Sequence, residues 1–106
     1  MYSAIASSAE ALTVSNSSVG FTTVPASATR AIVVVKSQPL RFWVDGSTPT
    51  TVAGMYANDD YIIYLYKSEI TKFRAIREGG TDAVANVTFY EGGWPDGIDY
   101  EANKVV

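Results

Sequence analysis

Any chemistry in this chain would proceed without histidine or cysteine, because its 106 residues contain neither. Their absence removes the usual general base, the thiol nucleophile and the ligands of most zinc and copper sites. Serine is plentiful, but a nucleophilic serine needs a base, and neither a GxSxG nor an SxxK pattern occurs. We therefore expect a protein that is not an enzyme, with no catalytic residue, no cofactor and no metal site.

Three carboxylates, those of Asp45, Asp59 and Asp60, could collect around a calcium ion, which takes oxygen ligands. Their spacing matches no calcium-loop motif. Asp-Gly and Asn-Asp-Asp, the sequences in which they stand, are ordinary turn sequences. We interpret all three as turn residues.

Aromatic side chains are abundant, with seven tyrosines, two tryptophans and four phenylalanines. On a β-sandwich they could form a stacking platform for sugars, but tyrosine and tryptophan are also enriched in protein–protein interfaces. We favour core and interface roles over a carbohydrate site. The residues predicted to lie in an interface are Trp43, Tyr64, Tyr66, Trp94, Ile98 and Tyr100.

The charge pattern excludes some partners. Net charge is −3, and the eight basic residues are spread from Arg30 to Lys104 without a run. A nucleic-acid binder carries a basic patch, so we expect no direct nucleic-acid contact. The arginines at positions 41, 74 and 77 should instead pair across strands with carboxylates such as Asp45 and Glu78, or make contacts between subunits.

We also expect neither a membrane span nor a signal peptide. Its apolar runs are far shorter than the ~20 residues that span a bilayer. The first ten residues lack the basic and apolar regions of a signal peptide, and the absence of cysteine agrees with a reducing compartment. We expect no membrane partner, and a protein that stays, or is assembled, where it is made.

Short apolar runs separated by turn residues predict an all-β fold. The expected strands are residues 11–14, 19–24, 31–35, 40–44, 61–66, 73–77 and 83–90. We expect two hairpins among these strands. One joins residues 31–35 to 40–44, and the other joins residues 73–77 to 83–90. In the final strand, four residues should face one way: Ala83, Ala85, Val87 and Phe89.

Two further segments complete the local prediction. Residues 45–58 contain glycine and proline and should form a loop, with Val52 or Met55 tucked beneath it. Residues 67–71 should form one helical turn capped by Ser68.

We predict one antiparallel β-sandwich or small barrel, jelly-roll-like, with about seven or eight strands. The domain should span residues 1–91, with N-terminal strands in about 10–24 and a core in 30–91, and residues 92–106 should form an extended C-terminal arm. The run 31–35 is apolar on both faces, which is typical of a strand covered on both sides or covered by a partner subunit.

The arm itself alternates apolar anchors with acidic residues, and Gly92 and Gly93 supply a hinge before it. A disordered tail would be poor in aromatic and aliphatic residues. We therefore expect an arm that reaches a neighbouring subunit, where its aromatic side chains fill pockets. The alternative is a strand that folds back onto its own domain.

Four stretches resemble a known pattern when read together with Gly54: residues 39–50 (PLRFWVDGSTPT), 58–64 (NDDYIIY), 70–77 (ITKFRAIR) and 87–90 (VTFY). The chain is similar over about residues 30–91 to small proteins encoded among the virion morphogenesis genes of tailed bacteriophages. The DG-x-x-PT and FRAI elements carry the likeness, because they stand in the same order with fitting gaps.

This resemblance implies a structural protein of the virion, assembled in the host cytoplasm, that decorates or cements the capsid shell. A head–tail connector or tail component is the next choice, and a carbohydrate-binding β-sandwich module is the competing class. The implied partners are the major capsid protein or other virion proteins. We also expect a homo-oligomer, for which the family picture favours a trimer.

Overall fold

The computed structural model describes residues 5–92, which form two antiparallel β-sheets around one core. Within these residues the elements are β1 (Ile5–Val14), β2 (Arg30–Lys36), β3 (Leu40–Trp43), β4 (Met55–Ala57), β5 (Ile62–Tyr66), α1 (Lys67–Ile70), β6 (Arg74–Arg77) and β7 (Ala83–Glu91). The strand order is β1-β7-β2-β5 in the four-stranded sheet and β4-β3-β6 in the three-stranded sheet. The predicted all-β sandwich is confirmed.

Strict alternation in the four-stranded sheet turns one face toward the core. In β7 the buried residues are Ala83, Ala85, Val87 and Phe89, as the sequence predicts. Because successive side chains of a strand point to opposite faces, the register brings buried residues of neighbouring strands side by side. Val33 of β2 lies between Val87 of β7 and Ile63 of β5.

Phenylalanine rings fill the space between the two sheets. Phe73 is buried, and its ring stacks on that of Phe21 with centroids 4.8 Å apart and on that of Phe42 at 5.7 Å. The ring of Phe21 also meets that of Phe89 edge-on at 5.4 Å. Offset and edge-to-face pairs add to the free energy of apolar burial, so this cluster joins elements from both sheets.

Both predicted hairpins are wrong. β2 is paired on both sides, with β7 and with β5, so it has no free edge for β3. The turn after β2, where Ser37 has a φ of 78°, instead carries the chain to the three-stranded sheet. In the same way β6 pairs with β3, whereas β7 lies between β1 and β2.

The N-terminal prediction is only partly right. β1 is longer than the predicted strand 11–14 because it pairs along most of β7, with one register shift between Ala6 and Ser8. The predicted strand 19–24 is reduced to a single bridge between Val19 and Ala75. The chain leaves that ladder at once, because Phe21 turns inward to pack its ring on the core.

The long loop between β3 and β5 contains a strand that the sequence analysis missed, since β4 pairs with β3. Val52 and Met55 are not tucked beneath it: their side chains are 85% and 51% exposed, and Pro49 and Ala57 are buried instead. Gly54 has a φ of 136°, and a Cβ there would lie 3.1 Å from Cβ of Arg41. Glycine is therefore required for β4 to approach β3.

The single predicted helical turn is confirmed as α1, but its cap differs. Tyr66, rather than Ser68, is the N-cap residue. The carboxylate of Glu69 accepts a hydrogen bond of 2.8 Å from the backbone N–H of Tyr66. That contact satisfies a backbone donor at the junction of β5 and α1.

The ring cluster predicts a large energetic role for Phe73. Replacing Phe73 with alanine should lower the free energy of unfolding by about 3–5 kcal/mol, since it removes a fully buried ring and leaves a cavity between the sheets. Val52→Ala should change it by no more than about 0.5 kcal/mol, because this side chain is exposed. Urea denaturation of both variants measures the difference, and equal midpoints would contradict the packing described.

Candidate functional site

The outer face of the four-stranded sheet carries several apolar and aromatic residues. In an antiparallel sandwich this face is commonly polar because it meets solvent. On β2, β5 and β7 we call the following residues the outer face: Ile32, Val34, Ile62, Tyr64, Tyr66, Val84 and Tyr90. The polar Asn86 and Thr88 of β7 lie beside Val34 and Ile32, so the apolar surface is concentrated on β2 and β5. An apolar surface of this kind is typical of an interaction site.

Cross-strand register places these side chains in rows. Ile32 lies opposite Tyr64, and Val34 lies opposite Ile62. Such neighbours on one face of a sheet are close enough for their side chains to pack together. The aliphatic residues of β2 are therefore flanked on one side by the larger side chains of β5, which is an edge strand of the sheet.

Arg30 closes one end of the outer face. It lies opposite Tyr66 on one side and Tyr90 on the other. Its guanidinium carbon lies 4.7 Å from the centroid of the Tyr66 ring, and its Nη1 donates a 2.8 Å hydrogen bond to the carbonyl of Thr29. Stacking and hydrogen bonding hold this cation in place beside the tyrosines.

A groove of about 250 Å³ runs along β5 and is also lined by residues of β3 and β4. Its lining includes Met55, Tyr61 and Ile62, whose side chains are 51%, 51% and 45% exposed. Glu69 is the single charged residue of the lining. A sugar site needs several placed polar partners, so the groove suits an apolar contact better than a carbohydrate.

The predicted interface residues fall into three groups. Tyr64 and Tyr66 lie together on the outer face. Trp43 lies at the end of β3 in the other sheet, opposite Arg74, and is half-buried. The remaining three, Trp94, Ile98 and Tyr100, lie outside the described residues, as does the predicted arm.

The predicted arginine pairing is confirmed for Arg41. Its Nε donates to Oε1 of Glu78 at 2.6 Å and to the carbonyl of Thr51 at 3.1 Å. Its Nη1 donates to the carbonyl of Gly54, also at 3.1 Å. One guanidinium thus ties the chain after β6 to the loop that leads into β4.

The other two arginines have different partners from those expected. Arg77 pairs with Asp82 at 2.6 Å, and Arg74 donates to the hydroxyl and the carbonyl oxygen of Ser18. Asp45, which was expected as a partner, serves its own turn instead and accepts a 3.0 Å hydrogen bond from the backbone N–H of Ser47. That bond is the main reason that the pKa of Asp45 lies below its usual value.

The other two candidate metal ligands also occupy turn positions. Asp59 accepts a hydrogen bond from the backbone N–H of Ser37 at 3.1 Å. The carboxylate of Asp60 pairs with the ammonium of Lys36, and their hydrogen bond raises the lysine pKa above its usual value. Residues 5–92 contain no group of three or more His, Cys, Asp or Glu residues that could hold a metal ion.

A larger cavity, of about 720 Å³, lies at the end of the sandwich where β2 begins and β5 ends. We call it the loop–helix pocket; its walls are the loop of residues 24–28 and the turn formed by α1 and residues 71–72. Sequence reasoning missed it. The two walls are about forty positions apart in the sequence and meet only because Arg30 pairs with Tyr66.

No family model matches this chain, and no curated protein or solved structure matches it either. Within residues 5–92, no helix has the length and apolar character needed to cross a membrane.

The Arg41 contacts predict that this position tolerates lysine poorly. Arg41→Lys should lower the free energy of unfolding by about 1–2 kcal/mol, because an ammonium cannot reproduce the planar fork that serves three acceptors. Lys36→Arg also conserves charge but changes an exposed ion pair, so we expect a change of no more than about 0.5 kcal/mol. Thermal and urea unfolding of the two variants provide the comparison. A loss at Lys36 as large as that at Arg41 would contradict this assignment.

Proposed function

We propose that this protein is a non-enzymatic structural component of a bacteriophage virion and that it decorates or cements the capsid shell. The observation that carries the proposal is the apolar outer face. Tyrosine, arginine and aliphatic side chains on a rigid sheet are the composition that protein–protein interfaces favour. The resemblance of about residues 30–91 to phage morphogenesis proteins supplies the biological setting.

The sheet supports this role physically. Each side chain of the outer face is fixed by a strand whose other face is buried in the core, so little conformational entropy is lost when a partner docks. The charged Arg30 at its end can pair with acidic or carbonyl groups of that partner. In this proposal the partner is the major capsid protein or another virion protein, and the module acts as a homo-oligomer.

Its place within the particle is the finer part of the proposal. A shell decoration is present in numbers comparable with those of the major capsid protein, whereas a connector or tail component is present in a small fixed number. Quantitative mass spectrometry of gradient-purified virions distinguishes the two positions. Complete absence from purified virions would refute the proposed function.

The outer face predicts which variants lose virion binding. Ile62→Glu places a charge on a side chain that is 45% exposed, at the start of β5, and should weaken association with virions roughly tenfold or more. Val52→Glu adds the same charge to an 85% exposed side chain on the loop before β4 and should bind normally. Co-sedimentation with virions that lack the protein measures both.

The two variants should melt within a few degrees of the unchanged protein, since neither side chain is buried. Normal binding by Ile62→Glu, or an equal loss with Val52→Glu, would show that the outer face is not the contact surface.

A further inference from the structure

The loop–helix pocket combines an apolar floor with a basic rim. Ala28 and Ile70 are buried in its floor, and Val24 and Pro25 are half-buried beside them. Three cationic residues also line it, Arg30, Lys67 and Lys72, out of eight basic residues in a chain whose net charge is −3.

Glu69, the acidic residue of α1, is not among the residues that line this pocket. The carboxylate of Glu69 is engaged with the backbone N–H of Tyr66. Lys67 and Lys72 are exposed, so their ammonium groups can turn toward a bound molecule. A pocket of this composition selects an apolar ligand that also carries carboxylates.

The chain contains a sequence of that composition. Residues 94–101 read WPDGIDYE, so two aromatic side chains and an isoleucine are interleaved with three carboxylates. This stretch lies outside the described residues. Its charge and its apolar content are complementary to those of the pocket, and a tryptophan or tyrosine is the kind of anchor that fills an interface pocket.

The hydrogen bonds near the end of β7 indicate whether the loop–helix pocket receives the C-terminal segment of its own chain or that of another copy. Ser27 Oγ donates to the Glu91 carboxylate at 3.1 Å, and Thr29 Oγ1 donates to the Gly92 carbonyl at 2.6 Å. Alternate residues of the same loop, Ala26 and Ala28, line the pocket. The loop therefore stands as a wall between the end of β7 and the pocket of the same chain.

We propose that the loop–helix pocket binds the C-terminal segment, residues 93–106, of a second copy of this chain. Fourteen residues can extend roughly 45 Å, enough to cross from one subunit to the next. Exchange of a segment between identical copies is a common route to a symmetric oligomer. The proposal specifies the self-association that belongs to the proposed function. Because Arg30 and Tyr66 line the pocket and also border or belong to the outer face, the test changes only Lys67 and Lys72 of the pocket.

A charge exchange in the full-length chain tests the proposal. The pocket variant is Lys67→Glu with Lys72→Glu, and the segment variant is Asp99→Lys with Glu101→Lys. Each variant alone places like charges together, so its self-association should be roughly tenfold weaker or more than that of the unchanged chain. Mixed in equal amounts, the two variants restore opposite charges at every contact between unlike copies and should form a mixed oligomer.

Size-exclusion chromatography with light scattering gives the mass of each sample. Lys36→Glu serves as the control, because it reverses an exposed lysine that does not line the pocket, and it should keep the mass of the unchanged chain. Trp94→Ala should weaken association without any change in charge.

A mixed oligomer from two weakly associating variants supports the proposal. The proposal is overturned if the unchanged chain is a monomer, if either variant keeps its full mass, or if the mixture fails to associate. Co-sedimentation of the same variants with virions is measured separately. Full mass in the pocket and segment variants, with virion binding by the unchanged chain, therefore refutes this inference alone. Weakened self-association of the variants, with no virion binding by the unchanged chain, refutes the virion role alone.

Discussion

The arrangement of this molecule depends on β7, whose buried inner face runs from the small Ala83 and Ala85 to the larger Val87 and Phe89. Because β7 pairs with β1 on one side and with β2 on the other, it occupies the interior of the four-stranded sheet. Its neighbour in sequence, β6, is thereby excluded from pairing with it and joins β3 instead. Phe89, near the end of β7, meets the ring of Phe21, through which the packing continues to Phe73 between the sheets.

The same alternation that buries one face of each strand determines the surface available to partners. Val33 and Ile63 are buried side by side, and the residues next to them in sequence, Val34 and Ile62, necessarily share the opposite face. Apolar residues at these outward positions add little to the stability of an isolated domain. Their presence is explained if another molecule covers them, as the proposed role in a particle requires. The burial of β2 is consistent with such a cover. Its inner residues are already buried in the core, whereas its outer residues stay partly exposed and available to a partner.

Local patterns in the sequence predict the strands better than their pairing. Period-two alternation is a property of a few consecutive residues, so the buried set of β7 and the positions of β2, β3, β5 and β6 could be predicted. The choice of neighbours depends on contacts between distant segments, and the turns at Ser37 and after Glu78 carry no sign that they connect two sheets. β1 was underestimated because its alanines and serines have weak strand propensity and pair only in the context of β7.

The residues of the candidate site also differ in whether local sequence or strand pairing determines their position. Tyr64 and Tyr66 could be assigned to one surface because they are two residues apart in one strand, whereas Trp43 belongs to the other sheet for reasons of topology. The loop–helix pocket could not be predicted, since its two walls meet only through the pairing of β2 with β5.

Hydroxyl-radical footprinting of the full-length chain, free and bound to virions, tests the central claim most directly, because it reports solvent access to individual side chains. The account predicts that binding lowers the modification rates of Ile62, Tyr64 and Tyr66 and leaves those of Val52 and Tyr56 unchanged. Protection confined to Val52 and Tyr56, with Ile62, Tyr64 and Tyr66 modified as in the free chain, would contradict it.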